Sequence, residues 1–99
     1  MDAYVRDVTD GVAEAVKRLR DLGVAKVLVN SLPPVGCTPW RSRLSGYARC
    51  DGRGNAMAGM HNALLGQKLG DLDGVLLLDL YTAFNSVAQS KSGTYTQLL

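Results

Sequence analysis

The sequence predicts a small α/β unit with parallel strands, and three features of the chain indicate this fold class. Two short aliphatic runs, at 26–31 and 75–80, have the length and composition of buried strands. A stretch with helical periodicity precedes each run, and another follows the second run. Strands that alternate with helices are joined by crossovers, so they pair in parallel.

The first predicted helix extends to Leu22 and is capped by Gly23, the residue type preferred just beyond a helix C-terminus. Its apolar residues recur at steps of three and four, and charged residues take most of the other face. The predicted buried stripe consists of Val5, Val8, Val12, Ala15, Val16, Leu19 and Leu22.

The first strand is predicted at 26–31 and ends before Pro33 and Pro34, which cannot donate to a strand ladder. Residues 37–54 are predicted as a long loop, because they are rich in Gly, Ser, Pro and Arg and have no clean period. The second helix is predicted from residue 55. Its stripe consists of Ala58, His61, Leu65, Leu69 and Leu72.

The second strand follows an Asp73-Gly74 turn, and a third helix is predicted from Tyr81 to Gln89. We expect residues 1–90 to form a partial domain and residues 91–99 to be a divergent, frayed tail. Two parallel strands make a poor sheet, because their edges and both faces need covering. The pattern therefore indicates a piece of a larger α/β sandwich.

Composition narrows the function classes. The chain has 99 residues, of which 46% are hydrophobic and 20% charged. These fractions are typical of globular proteins. Its net charge of +2 does not indicate a nucleic-acid partner, and no apolar run is long enough for a membrane span. The first residues do not resemble a signal peptide, so a chain translated as given is expected in the cytoplasm.

Several motifs resemble the plant GDSL esterase/lipase family of the SGNH hydrolase superfamily. The segment 22–39 contains a Leu-Gly-Val-Ala-Lys helix end, a strand and a Leu-Pro-Pro-Val-Gly-Cys-Thr-Pro loop similar to those of the family. The resemblance continues to about residue 89, although His61 stands where the family usually has Phe. The further matching positions are Cys50, Asn55, Ala58, Asn62, Leu65, Leu69, Asp79 and Tyr81.

The resemblance implies a three-layer, flavodoxin-like SGNH sandwich and hydrolysis of carboxylic esters of acyl or lipid substrates, without a cofactor or metal. That reaction uses a Ser-His-Asp triad and oxyanion donors. The family supplies them from Gly-Asp-Ser-Leu, Gly-x-Asn-Asp and Asp-x-x-His blocks, and none of these blocks occurs in the 99 residues. We therefore assign no catalytic residue and expect this chain alone to be inactive.

The resemblance to a secreted family also implies a disulfide between Cys37 and Cys50. The second helix must begin near the sheet end where the first strand stops, which favours α-carbons within about 7 Å. Metal or redox chemistry is disfavoured, because two thiols cannot complete a zinc site and CxxC spacing is absent. A cytoplasmic chain would keep these thiols reduced, whereas an extracellular one would oxidise them.

Three further features have both a functional and a structural interpretation. His61 is interpreted as a helix residue on the core stripe and not as a base. Asn30, Ser31 and Asp79 follow the strands, where ligands bind open sheets, but we favour a role in satisfying turn amides. The loop containing Trp40, Tyr47 and four arginines has the residue types that grip phosphates or anionic lipid, but such loops are more often simply solvated.

Two functions follow from these observations. The first is a fragment of a GDSL-type esterase/lipase, with an ester or lipid substrate only in the full-length family. The alternative is a non-catalytic binding protein that associates with itself or with a relative through its exposed sheet edges. The missing triad blocks favour the alternative for this polypeptide.

Overall fold

The computed structural model describes residues 2–88, which form a two-layer α/β unit. The expected tail at 91–99 lies outside the described residues. The elements in chain order are α1 (Asp2–Asp21), β1 (Val27–Asn30), a 3-10 turn (Val35–Cys37), α2 (Pro39–Ser42), a second 3-10 turn (Arg43–Ser45), α3 (Gly52–Leu69), β2 (Val75–Leu78) and α4 (Leu80–Ala88).

Strands β1 and β2 pair in parallel, which confirms the predicted fold class and strand direction. The register places Val27 opposite Val75 and Asn30 opposite Leu78. Both strands are shorter than predicted at their carboxyl ends. Beyond the strand ends the side chains of Ser31 and Asp79 accept hydrogen bonds from amides in the first turn of α4.

The core lies on one face of this sheet. Helices α1 and α3 pack against each other and cover that face. The core cluster is built from Ala13, Val16, Leu65, Leu69 and Val75, with Val12, Val27, Val29 and Leu72 packed around it. On the other face Leu28 and Leu76 lie opposite each other and remain 63% exposed. Residues 2–88 therefore supply one helical layer against the sheet.

The predicted stripe on α1 was partly wrong. The helix buries Val5, Thr9, Ala13 and Val16. Four residues of the predicted stripe are exposed instead, namely Val8, Ala15, Leu19 and Leu22. The buried face is rotated because Thr9 is accommodated in the interior. Its hydroxyl donates to the carbonyls of Val5 and Arg6 at 2.9 and 3.0 Å, and it accepts from the Lys68 ammonium at 2.7 Å. A hydroxyl with satisfied hydrogen bonds is buried at little cost.

The predicted stripe on α3 is largely confirmed, since Ala58, His61, Leu65 and Leu69 are buried. Leu72 is only partly buried, because the helix ends at Leu69. The start of α3 was predicted too late, since it begins at Gly52.

The predicted loop at 37–54 was also wrong in part, since it contains short helical turns. Pro39 occupies the first turn of α2, where its missing N–H costs nothing. Asp51 caps α3 by accepting a hydrogen bond from the Arg53 amide at 3.2 Å. Because glycine has a low helix propensity, the glycines at 52 and 54 led to a predicted helix start that was too late.

Candidate functional site

The candidate site is the carboxyl edge of the sheet, where the ends of β1 and β2 meet the Leu32–Cys37 segment. Ser31 continues the pairing, and its amide donates to the Leu78 carbonyl at 2.9 Å. In open parallel sheets this edge binds ligands, because the strand ends and the helix N-termini converge there. The edge is formed by residues distant in sequence, since the crossover through α3 separates the two strands.

The polar groups at this edge cap helix α4. The Ser31 hydroxyl accepts hydrogen bonds from the amides of Leu80 and Tyr81 at 3.0 and 3.4 Å. One Asp79 carboxylate oxygen accepts from the Thr82 amide at 3.0 Å, and the other accepts from the Thr82 hydroxyl at 2.7 Å. The interpretation of Ser31 and Asp79 as residues that satisfy turn amides is therefore confirmed.

The electrostatics of Asp79 agree with this role. The hydrogen bond from the Thr82 backbone amide, and then that from the Thr82 hydroxyl, lower the pKa of the Asp79 carboxyl below its usual value. Hydrogen bonds to the ionised form stabilise it, and so does the partial positive charge at a helix N-terminus. A carboxylate held ionised in this way suits a cap better than a proton shuttle near neutral pH.

His61 lies on the buried side of α3, only 8% exposed. Its Nδ1 is 3.2 Å from the side-chain oxygen of its neighbour Asn62. Within residues 2–88 no serine hydroxyl or carboxylate forms a hydrogen bond with the ring, so the described chain contains no nucleophile–base–acid chain through this histidine. Its interpretation as a core residue is supported by this burial.

Two asparagines on α3 hold the segment that leaves β1. Asn62 binds both peptide groups of Leu32, accepting from its amide at 2.8 Å and donating to its carbonyl at 2.9 Å. Two helical turns before Asn62, the side-chain oxygen of Asn55 accepts from the Gly36 amide at 2.8 Å. The side-chain nitrogen of Asn55 is 3.4 Å from the Cys37 sulfur. Seven residues make about two helical turns, so both amides project from the same side of α3.

The turn at Gly36 packs directly on the start of α3. The Asp51 amide donates to the Gly36 carbonyl at 2.7 Å. A Cβ at position 36 would overlap the Asp51 carbonyl oxygen, and a Cβ at Gly54 would lie 3.1 Å from the Gly36 α-carbon. Position 36 therefore requires glycine for close approach of two backbones, and position 54 leaves little room for a side chain. Sequence reasoning missed this contact, for which the only signal was the pair of glycines flanking the two cysteines.

Beside this contact the structure joins Cys37 to Cys50. Their α-carbons are 4.3 Å apart, inside the expected limit of about 7 Å. The bridge closes a segment with its own internal hydrogen bonds. For example, the Ser45 hydroxyl donates to the carbonyls of Ser42 and Arg49 at 2.9 and 3.0 Å. The carboxyl-edge loop is thus fixed to α3 by asparagines, by backbone contact and by a covalent bond.

Residues 2–88 offer little at other places that could bind a ligand. No group of three or more His, Cys, Asp or Glu side chains in that part of the chain converges in a way that could hold a metal ion. A shallow pocket between α1 and α3 is lined by Asp10, Ala13, Glu14, Lys17 and Lys68. Its main feature is the ion pair of Lys68 with Asp10, which fastens the two helices together. No helix of the described segment is long and apolar enough to cross a membrane.

The fold and this loop define the class as an α/β unit whose carboxyl-edge loop is anchored by asparagines and a disulfide. Comparison with known proteins gives the family. The chain is 35% identical over 95 residues to GDSL esterase/lipase At5g03610 of Arabidopsis thaliana. The aligned region covers 90% of this chain and 26% of that protein. It is 36% identical over 98 residues to GDSL esterase/lipase At2g36325 of the same plant, covering 90% of this chain and 26% of that protein.

A third Arabidopsis relative, GDSL esterase/lipase At3g09930, is 31% identical over 97 residues, covering 92% of this chain and 27% of the relative. The chain therefore belongs to the plant GDSL esterase/lipase family, as its motifs indicated. It spans about a quarter of the length of the relatives it matches. No family model matches the chain, and no solved structure does.

Proposed function

We propose that this chain is a scaffold segment of a GDSL-type ester hydrolase and does not hydrolyse esters by itself. The reaction proposed for the whole protein is attack of a serine on a carboxylic ester, with a histidine base oriented by an aspartate. The observation that carries the proposal is the absence from these 99 residues of all three motif blocks that supply those groups.

The geometry of the carboxyl edge supports a scaffold role for this segment, with the catalytic groups supplied by other parts of the whole protein. Ser31 and Asp79 are engaged with the first amides of α4, and His61 is buried against α3. None of these side chains is arranged to activate an attacking oxygen. The chain instead supplies a rigid wall at the edge where an open parallel sheet binds its ligand.

The complete fold proposed is a three-layer, flavodoxin-like sandwich, of which residues 1–90 are a part. The open sheet face supports it, because exposed leucines at 28 and 76 form an apolar surface suited to a further helical layer. Such a layer would remove both side chains from water, and this burial would stabilise the complete fold by about 25 cal/mol for each Å² of apolar area.

An oxidising, extracellular setting is the compartment proposed for the whole protein. The Cys37–Cys50 bridge supports this, because structural disulfides persist outside the reducing cytosol.

The experiment measures ester hydrolysis and active-site labelling together. The purified 99-residue chain is assayed with a short p-nitrophenyl ester and with a fluorophosphonate probe, which labels activated serines. We expect no turnover above buffer and no labelling, whereas a full-length GDSL relative should show both. Turnover that persists in His61→Ala would reveal an unrecognised site, and turnover lost in that variant would give the histidine a catalytic role. Either result would overturn the proposal.

A second candidate function is binding without catalysis, through the exposed sheet of this chain. The observation that favours it is the apolar strip of Leu28 and Leu76, bordered by strand edges that no other strand of residues 2–88 pairs with. The occupant would be a second copy or the remainder of a related chain. Sedimentation velocity tests the first case, because Leu28→Lys with Leu76→Lys should convert a dimer to a monomer. A monomer at all concentrations would leave self-association unsupported.

A further inference from the structure

The disulfide-closed segment 39–49, which we call the arginine–aromatic loop, presents apolar and cationic side chains together. Trp40, Leu44 and Tyr47 are 68%, 91% and 69% exposed. Arg43 and Arg49 are also exposed. Exposed Trp, Tyr and Leu beside arginines are the residue types that enter the headgroup region of a membrane.

The arrangement of these side chains gives the loop one insertion tip. Trp40 lies in α2 and Leu44 in the 3-10 turn that follows it directly, so two strongly exposed apolar side chains stand within one short stretch of the loop. The Arg43 guanidinium lies 3.7 Å from the centre of the Trp40 ring, stacked on its face. Stacking holds the indole in place and leaves the guanidinium N–H groups, which lie in its plane, directed outward at oxygen acceptors.

The loop and its flanks carry a net positive charge. Residues 37–54 contain four arginines and one aspartate, a net charge of +3, which exceeds the +2 of the whole chain. The aspartate, Asp51, lies 3.5 Å from Arg41, and that pair offsets itself. Arg43, Arg49 and Arg53 are therefore the cations that remain to attract an anionic surface.

The loop is ordered before it meets a partner. The disulfide closes its ends, and the Arg49 amide donates to the Ser45 hydroxyl at 3.0 Å. The Tyr47 amide donates to the Ser42 carbonyl at 3.0 Å, although Tyr47 has a left-handed φ of 67°. A loop held in one conformation loses little entropy on binding, so more of its contact energy appears as affinity.

We propose that the arginine–aromatic loop adsorbs to anionic lipid surfaces, with Trp40 and Leu44 inserted at the headgroup level and the arginines on the lipid phosphates. The exposed leucine favours lipid over nucleic acid, because an aliphatic tip gains energy in an acyl environment and provides no stacking surface for a base. The loop follows β1 at the carboxyl edge, so adsorption would bring the proposed ligand-binding edge towards the lipid. Adsorption itself requires no ester hydrolysis.

The test uses the oxidised 99-residue chain and the fluorescence of Trp40, which is its single tryptophan. Vesicles of phosphatidylcholine are compared with vesicles of phosphatidylcholine and phosphatidylserine, and partition coefficients are taken from the blue shift of the emission. We expect stronger partitioning to the anionic vesicles, decreasing with salt. Quenching by lipids brominated on the acyl chain should place the indole at the interface.

Matched variants separate the loop from general charge and apolarity. Arg43→Gln with Arg49→Gln should lower the anionic partition coefficient about 25-fold, since each arginine near such a surface contributes about five-fold. Leu44→Ala should weaken binding to both kinds of vesicle. The controls are Arg6→Gln with Arg18→Gln, and Leu22→Ala at a leucine that is 82% exposed on the end of α1. These controls should have much smaller effects.

Three results would overturn the proposal. The first is an emission spectrum unchanged by either vesicle. The second is a loss of binding in the control variants equal to that in the loop variants. The third is tight binding of a single-stranded oligonucleotide that depends on the loop arginines, with no vesicle binding, which would make the loop a nucleic-acid surface instead. Because vesicle binding is measured without turnover, a failure here is distinct from a failure of the proposed hydrolase segment.

Discussion

Asn62 of α3 pairs with the Leu32 peptide through both ends of its side-chain amide, as a neighbouring strand would. Its oxygen accepts from the Leu32 amide at 2.8 Å, and its nitrogen donates to the Leu32 carbonyl at 2.9 Å. Pro33 and Pro34 follow, and neither can continue a ladder. The asparagine therefore terminates β1 and directs the chain into the carboxyl-edge loop.

Replacing Asn62 with alanine should destabilise the protein by about 2 kcal/mol, because two hydrogen bonds are lost and two partly buried peptide groups lose their partner. Urea unfolding of the oxidised chain measures the effect. Gln67→Ala is the matched control, since it removes an exposed amide from the same helix and should change stability by less than about 0.5 kcal/mol. Equal effects of the two variants would show that the pairing contributes nothing.

Alanine substitutions at two glycines should change stability in opposite directions. Gly36→Ala should cost about 2 kcal/mol, because its Cβ overlaps the Asp51 carbonyl oxygen and the backbone must shift. Gly59→Ala, on the exposed side of α3 with nothing within 4 Å of the new Cβ, should stabilise by up to about 1 kcal/mol. Thermal unfolding followed by circular dichroism compares them, and a Gly36→Ala variant as stable as the wild type would refute the assignment of the close contact.

The sequence was sufficient for the fold class because strand and helix periods are local signals. The stripe on α3 was predicted correctly for the same reason, since apolar spacing alone identifies Ala58, Leu65 and Leu69. On α1 the same reasoning failed at Thr9, whose hydroxyl accepts a hydrogen bond from Lys68, 59 residues away. Periodicity cannot predict the burial of a polar residue whose partner lies on another element.

The candidate site was predictable to a similar extent. Parallel topology alone brings Ser31 and Asp79 to one edge, and their place at the strand ends favoured a role in satisfying turn amides. The helical turns within 37–54 were not predictable, because they depend on side-chain to backbone bonds such as that from the Ser42 hydroxyl to the Thr38 carbonyl. Such bonds stabilise turns and helices alike, so residue preference does not distinguish them.

The disulfide should be the largest single contribution to the stability of the carboxyl-edge loop. Cys37→Ser with Cys50→Ser removes a bridge spanning 13 residues, which should cost about 3 kcal/mol under oxidising conditions. The same double variant should match the wild type in reducing buffer. Thiol titration of the oxidised wild-type monomer should detect no free thiol.

Two freely titrating thiols in folded, oxidised protein would contradict this prediction. A double variant with the same melting temperature as the oxidised wild type would contradict it as well. The single variant Cys37→Ser provides a further check, because it frees Cys50 and should allow a disulfide-linked dimer that the double variant cannot form.

Asp79 should make the stability of α4 depend on acid pH. Its carboxyl has a lowered pKa in the folded chain, owing first to the Thr82 amide and then to the Thr82 hydroxyl. The stabilisation is therefore complete above the unfolded pKa of about 3.9 and is lost as pH falls through the lower folded value.

Asp79→Asn keeps an oxygen for the Thr82 amide but no charge, so the wild type should exceed it in stability at pH 7 and lose that advantage in acid. Carbon-13 NMR of the Asp79 carboxyl should show a midpoint below the ordinary range, and Thr82→Val should raise it. A stability difference between wild type and Asp79→Asn that is the same at neutral and acid pH would refute the assigned role.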